Sequence, residues 1–414
     1  MSIIKPFKGV RPRVDLVREI AALPYDVYSS QEARIVVKDN PISFLKIDRA
    51  ETFFPEGIDA YSSTVYEKAR DTMYKMIEEK KLIQDDKVCL YIYKLTMNGR
   101  TQTGIVACTS IDEYINNTIK KHELTRAEKE ADRINHVDYC DANTGPIFLT
   151  YKAQKSIDLL VNNWTDHHKE EVDFVADDGI RHTIWVISDS EIIQKLQQEF
   201  KVVDSLYIAD GHHRAASAVK VGLKRREANP NDDGTGEFNY FLSVIFPDEQ
   251  LKIMDYNRVV QDLGGLTSEA FIEEVVKNFN ILETSKKPIR PTKKGTFGMY
   301  LEDKWYLLEA KEGTYNLKDP VLSLDVSILQ LNLLSPILGI GDPRTDNRID
   351  FVGGIRGLGE LERRVNEDMT VAFALVPTSI EELMNIADAD ELMPPKSTWF
   401  EPKLRSGLFI HLLK

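Results

Sequence analysis

The densest chemistry in the chain lies at Tyr207-Ile208-Ala209-Asp210-Gly211-His212-His213-Arg214, which follows an apolar stretch and leads into Ala215, Ala216, Ser217 and Ala218. The pattern is a strand, a tight Asp-Gly turn and a helix start bearing two imidazoles and a guanidinium. Such a junction has the parts to hold a phosphate. The first N–H groups of a helix lack intrahelical partners, and the helix dipole favours an anion there. Gly211, His212, His213 and Arg214 would supply those N–H groups, with Arg214 as a bidentate clamp. Asp210 could orient a metal ion, Mg²⁺ foremost, or a hydroxyl. The plainer alternative is a turn capped by its own aspartate beside two solvated histidines; the adjacent His-His-Arg favours a site.

Two further clusters stand out. Lys120-Lys121-His122-Glu123-Leu124-Thr125 precedes a charged helical stretch with Glu128, Glu130, Asp132 and Arg133. Glu123 could act as a general base, since a carboxylate beside cations can be tuned for proton transfer; it could equally be an acid in a solvated helix start. Met393-Pro394-Pro395-Lys396-Ser397-Thr398 offers an ammonium and two hydroxyls for a phosphate or carboxylate, or forms a Pro-rich link to a final strand at 407–411. Gly353-Gly354-Ile355-Arg356-Gly357-Leu358-Gly359 does not match G-x-G-x-x-G, because Glu362 stands where the last glycine is needed. No Walker-type phosphate loop and no H-E-x-x-H occur, and His167-His168 reads as surface.

The elements that must position these residues belong to a chain of 414 residues, long enough for two domains with substantial cores. A net charge of −13 repels nucleic acid and anionic lipid, and no run of Lys or Arg offers a local basic patch. A small phosphorylated ligand in one positive pocket remains compatible. Three cysteines, Cys89, Cys108 and Cys140, without CxxC spacing, argue against a disulfide framework or a thiolate zinc site. No apolar run reaches the roughly 20 residues needed to span a bilayer, and the first residues do not read as a signal peptide. A cytoplasmic protein is expected, as a monomer or homo-oligomer.

Strands and helices interleave, giving an α/β class of mixed α+β character. Helices are expected over 31–38, 58–80, 124–137, 189–200 and 268–278, and from Val326, with Asp325 as its cap. Short strands are expected at 44–47 and 147–151. Hairpins are expected about Asn98-Gly99 and Asp177-Asp178-Gly179, and strand pairs at 240–246 with 251–256 and 296–300 with 305–309. A division near 254 leaves an N-terminal domain, 1–253, and a C-terminal α/β domain, 254–414.

Taken together, Pro24-Tyr25-Asp26-Val27, Asp39-Asn40-Pro41 with Ser43-Phe44, His122-Glu123 with Asp132-Arg133, Asp210–Arg214 and the Met-Pro-Pro-Lys-Ser-Thr tail resemble the prokaryotic family labelled domain of unknown function ten-fifteen. That family is in turn similar to the archaeal ADP-dependent free serine kinases of the ParB/sulfiredoxin superfamily. Lys121-His122-Glu123, Ile208–Arg214 and the stretch from Val371–Val376 through Pro395-Lys396-Ser397-Thr398 carry this remoter resemblance.

The resemblance implies a ParB/sulfiredoxin-like core and a small-molecule kinase using ADP or ATP with Mg²⁺. Glu123 and Asp210 would be its catalytic residues, with Asp210 also holding the metal. His122, Lys396, Ser397 and Thr398 would lie on the substrate or nucleotide side. The acceptor would be a small hydroxylated metabolite, free L-serine among the candidates. A non-catalytic nucleotide-binding regulator and a nucleotide hydrolase remain the alternatives. The chain departs from the kinase pattern in its greater length, with residues 1–110 and the segment between Glu123 and Asp210 largely additional.

Overall fold

Asn98 and Gly99 both take positive φ, 53° and 77°, the geometry of a two-residue turn whose twist matches that of paired strands. In the computed structural model, which describes residues 1–414, the flanking segments pair antiparallel from Met97–Arg100 to Tyr91–Val106. This hairpin is the middle of a nine-stranded sheet. Its strands are β1 (Ile4–Lys5), β2 (Leu90–Met97), β3 (Arg100–Ser110), β4 (Ile119–Lys120) and β5 (Ile147–Tyr151). They continue with β6 (Val172–Val175), β7 (Arg181–Ile187), β8 (Leu206–Asp210) and β9 (Tyr240–Pro247). The order is β4-β8-β5-β9-β3-β2-β7-β6, with β1 beside β3. The Asp177-Asp178-Gly179 turn joins β6 to β7 as expected, with Gly179 at φ 79°. The fold is mixed α+β.

Helices α1 (Ser63–Glu78), α2 (Ala127–Cys140) and α3 (His212–Ala228) matter most for the site. α2 packs against both α1 and α3. Val65, Ala69 and Met73 bury one face of α1, the stripe that the 3.6-residue period marks out. The helix expected over 189–200 spans Ser190–Lys201, and its Asp189 cap accepts the N–H of Glu191 at 2.8 Å.

Two compact units divide the chain: Met1–Leu251 with Pro402–Lys414, and Lys252–Glu401. The second is built on a six-stranded sheet in the order Phe279–Ser285, Lys304–Ala310, Thr296–Leu301, Val371–Ala374, Tyr256–Val260 and Ile349–Gly353. The last residues do not stay with the 254–401 segment. They return to the first unit, where Ile410 bridges to Val10 and His411–Leu412 pairs with Ala142–Asn143. Backbone pairing and the burial of Leu408, Phe409 and Ile410 fix them there.

Three local expectations are corrected. Residues 44–47, read as a strand, form a turn of helix over Leu45–Asp48. Phe44, Leu45 and Ile47 are all fully buried, and a short apolar run does not distinguish a buried helix from a strand by its period. The expected pair of 240–246 with 251–256 does not form: β9 pairs with β3 and β5, and Ile253–Met254 pairs with Trp399–Phe400. Asp325 does not cap its helix. It lies in the first turn, and its carboxylate accepts the Gly295 N–H at 2.8 Å, a tertiary bond that replaces the local one. No helix is long and apolar enough to cross a membrane.

Candidate functional site

The parallel pairing of β4 with β8 brings the two sequence clusters to one place. Ile119 lies opposite Leu206 and Lys120 opposite Tyr207, so both chains leave the sheet at the same, carboxyl end. The next residues of one are Lys121-His122-Glu123, and of the other Asp210-Gly211-His212. β5 runs antiparallel to β8, so the loop before it, Asn143–Pro146, begins at that end too. Loops at the carboxyl ends of strands are where open sheets leave a crevice for ligands.

Gly211 makes the turn possible. Its φ of 98° is a left-handed conformation that costs side-chain-bearing residues. A Cβ there would also stand 3.0–3.1 Å from three atoms of the Arg214 guanidinium. α3 then starts at His212. The small residues Ala215, Ala216 and Ser217 let α2 approach closely, and the Ser217 hydroxyl donates to the carbonyls of His213 and Glu130.

Asp210 sits among cations. Its Oδ2 lies 3.5 Å from Arg214 and 3.6 Å from Lys403 Nζ. Burial pushes the carboxyl up, but Lys403, Arg214, the His212 ring and the Gly211 N–H outweigh it and hold it below the usual carboxylate range. Arg214 also donates to the Pro146 carbonyl, which ties the guanidinium across to the loop before β5. An anion arriving at the helix start would therefore meet two positive side chains.

On the other side of the turn, Glu123 Oε2 lies 3.8 Å from His212 Nδ1, and the Glu123 side chain keeps 42% exposure while His212 keeps 5%. His122 is buried behind it, its backbone N–H donating to His212 Nε2 at 3.4 Å and its ring meeting His212 edge-on at a centroid distance of 4.4 Å. Burial lowers His122 to about 4, and burial together with the neighbouring His122 ring drives His212 well below its ordinary value. Both imidazoles are neutral at pH 7. His213 Nε2 accepts the Arg126 N–H at 2.9 Å, so this ring holds the start of α2.

A cleft opens beside Arg214, lined by Tyr25, Asp48, Arg133, Thr144, Arg214 and Ser406 among others. Arg133 lies 4.1 Å over the Tyr25 ring and donates through Nε to Asp132 at 2.8 Å; Asp132 in turn accepts the Tyr66 hydroxyl at 2.9 Å. Asp48, also buried, accepts the Thr144 hydroxyl at 3.1 Å. The cleft thus offers a buried guanidinium and a buried carboxylate.

Glu123, His122, Asp210, Gly211, His212, His213 and Arg214 are brought together as one cluster. Lys396, Ser397 and Thr398 belong to the second unit. There Lys396 takes φ 59°, its carbonyl accepts from Arg258 at 3.0 Å, and the Ser397 hydroxyl donates to the Pro394 carbonyl. Ser397 is spent closing its own turn. Lys403 and Ser406 escaped the sequence reading, since only the pairing of the last residues brings them here. Tyr25 and Arg133 stood in conspicuous motifs, and the fold brings both to the cleft.

A model of the family described as "Protein of unknown function (DUF1015)" matches residues 4–327. No curated protein matches the chain. Among solved structures, a free serine kinase mutant in complex with AMP is similar at 14% identity and a TM-score of 0.37, over 74% of this chain and 92% of that one. A conserved hypothetical protein from Pyrococcus furiosus is similar at 15% identity and a TM-score of 0.36, over 75% and 95%. C-terminally truncated SbnI from Staphylococcus aureus is similar at 12% and 0.37, over 74% and 87%. These likenesses are distant.

Proposed function

The chain belongs to the DUF1015 family of proteins of unknown function, and we propose that this member is a phosphotransferase, moving a phosphoryl group from a nucleotide to the hydroxyl of a small metabolite. What supports the reading above all is the approach of Glu123 to the helix start: an accessible carboxylate 3.8 Å from His212, on the turn that also presents Arg214. Glu123 takes the proton of the acceptor hydroxyl as its oxygen bonds to phosphorus. The bond from phosphorus to the leaving nucleotide breaks, and the nucleotide carries away the electron pair. The first N–H groups of α3, Arg214 and Lys403 stabilise the negative charge on the transferring group. Phosphoryl transfer asks for positioning and charge neutralisation more than covalent help, and this set offers both.

Asp210 fits a bare Mg²⁺ poorly, because its Oδ2 already lies against two cations, Arg214 and Lys403. Its part in the reading is to align those cations, and no step runs through a metal at this carboxylate.

The nucleotide as donor comes from the motif resemblance to the free serine kinases. The cleft bears on the acceptor. A zwitterion places its carboxylate against Arg133 and its ammonium against Asp48, and free L-serine has both groups together with a hydroxyl. The test is direct: purified full-length chain, ADP or ATP with Mg²⁺, and a panel of hydroxylated metabolites led by L-serine. The reading expects a phosphorylated acceptor formed in step with nucleotide consumption. Nucleotide bound but unconsumed across amino-acid and sugar acceptors would point to a binding regulator, and consumption without an acceptor to a hydrolase.

A further inference from the structure

The donor set best suited to a metal ion lies beside Asp210 rather than on it. His122, Glu123 and His212 each offer one ligand atom, and these atoms all lie within 4.8 Å of one another. Independently, His122 is 1% exposed and neither of its ring nitrogens has a hydrogen-bond partner. Buried polar atoms are nearly always partnered, and each exception asks for an explanation. The edge-on contact with His212 would be met as well by a phenyl ring; it accounts for the packing and leaves the two nitrogens unexplained. The Glu123–His212 contact leaves them unexplained too.

We propose that His122, Glu123 and His212 form a binding site for a divalent transition-metal ion of the zinc class. Two imidazoles and one carboxylate suit Zn²⁺, Co²⁺ or Ni²⁺, whereas Mg²⁺ takes oxygen ligands and keeps its waters. Three protein ligands leave a position open for water or a substrate oxygen. Zinc holds nitrogen and oxygen donors at about 2.0–2.2 Å, so binding draws the three atoms closer together than they stand. Glu123, the exposed member, supplies most of that movement. Coordination through His212 Nδ1 leaves the ring proton on Nε2 and gives up the 3.4 Å contact from the His122 N–H, a bond too long to resist.

The site does not depend on the phosphotransfer reading, but it bears on it. An ion held by Glu123 takes the carboxylate that would accept the hydroxyl proton, so the metal-loaded protein is expected to be slow in transfer and the chelated protein fast. The loaded state would then be an off state of the same site.

The experiment uses full-length chain without a polyhistidine tag, freed of metal by a chelator and titrated with Co²⁺ while its visible absorption is recorded. One equivalent is expected to give the intense bands of a low-coordinate Co²⁺, Zn²⁺ is expected to displace it, and millimolar Mg²⁺ is not. Affinity is expected to fall at least about tenfold in His212→Ala and in Glu123→Gln. Glu123 is the exposed ligand, so its variant tests the site with little risk to folding; far-ultraviolet circular dichroism checks the histidine variant. Absence of a stoichiometric Co²⁺ spectrum, or a spectrum and affinity unchanged in Glu123→Gln and His212→Ala, overturns the proposal. Because the readout is metal absorption, a protein that binds Co²⁺ but transfers no phosphoryl group loses the kinase reading and keeps the site, and the reverse result separates them the other way.

Discussion

The Lys403 ammonium lies 3.6 Å from the Asp210 carboxylate, joining the last residues of the chain to the turn at the heart of the candidate site. With Arg214 at 3.5 Å from the same oxygen, the arrangement holds Asp210 ionised and keeps two cations beside the start of α3. Replacing Lys403 by Met removes one of them. ADP or ATP affinity measured by calorimetry is expected to fall about tenfold, or about 1.4 kcal/mol. Unchanged affinity would exclude Lys403 from the anion site.

Glu123 and Asp210 were legible as separate motifs, Asp210 because it ends an apolar stretch that reads as a strand and Glu123 because it stands beside cations before a charged helical stretch. Their meeting follows from parallel pairing of β4 with β8, which no local pattern announces. Lys403 was not legible at all: its approach depends on Ile410 bridging to Val10 and His411 pairing with Asn143, contacts between residues hundreds of positions apart. Similarly, Asp325 had the sequence position of a cap and was drawn instead to the Gly295 N–H. Residues 44–47 had the composition of a strand and were folded as a helical turn by burial on every side. Local chemistry survived in the sequence; the tertiary competition that redirected it did not.

Gly211→Ala tests the turn itself. The added Cβ meets the Arg214 guanidinium at 3.0–3.1 Å and must adopt a φ of 98°. A stability loss of about 1–2 kcal/mol is expected from the backbone alone. Nucleotide affinity should drop with it, since Arg214 has to move. A variant with wild-type stability in urea and wild-type affinity would contradict the assigned geometry.

Arg133→Lys separates the cleft from the phosphate turn. The planar guanidinium over Tyr25 is lost while a positive charge remains. If the acceptor's carboxylate sits there, the acceptor KM rises about tenfold, near 1.4 kcal/mol, and nucleotide Kd stays put. A change in nucleotide Kd with no change in acceptor KM would place the acceptor elsewhere.

Glu113 supplies a pH test away from the site. Buried, with its Oε1 accepting the Ile3 N–H at 2.8 Å, its carboxyl is pushed by burial from about 4.5 up to about 7. The folded protein therefore holds a proton that the unfolded chain releases between those values. Stability from this group is complete below about pH 4.5 and is lost as pH rises through 7. Glu113→Gln should remove that slope and exceed wild type at pH 8 by roughly 2 kcal/mol. Urea melts at pH 5 and pH 8 read it; the same difference between the proteins at both values would rule out a protonated Glu113.

The most direct measurement compares Glu123→Gln with Arg214→Ala, each assayed for nucleotide binding by calorimetry and for phosphorylated product from ADP or ATP with L-serine and related acceptors. Glu123→Gln is expected to lose turnover by about 10²–10⁴-fold with nucleotide Kd nearly unchanged, and Arg214→Ala to weaken nucleotide binding. Turnover retained in Glu123→Gln, or an equal loss of binding in both variants, would contradict the division of roles between base and phosphate clamp.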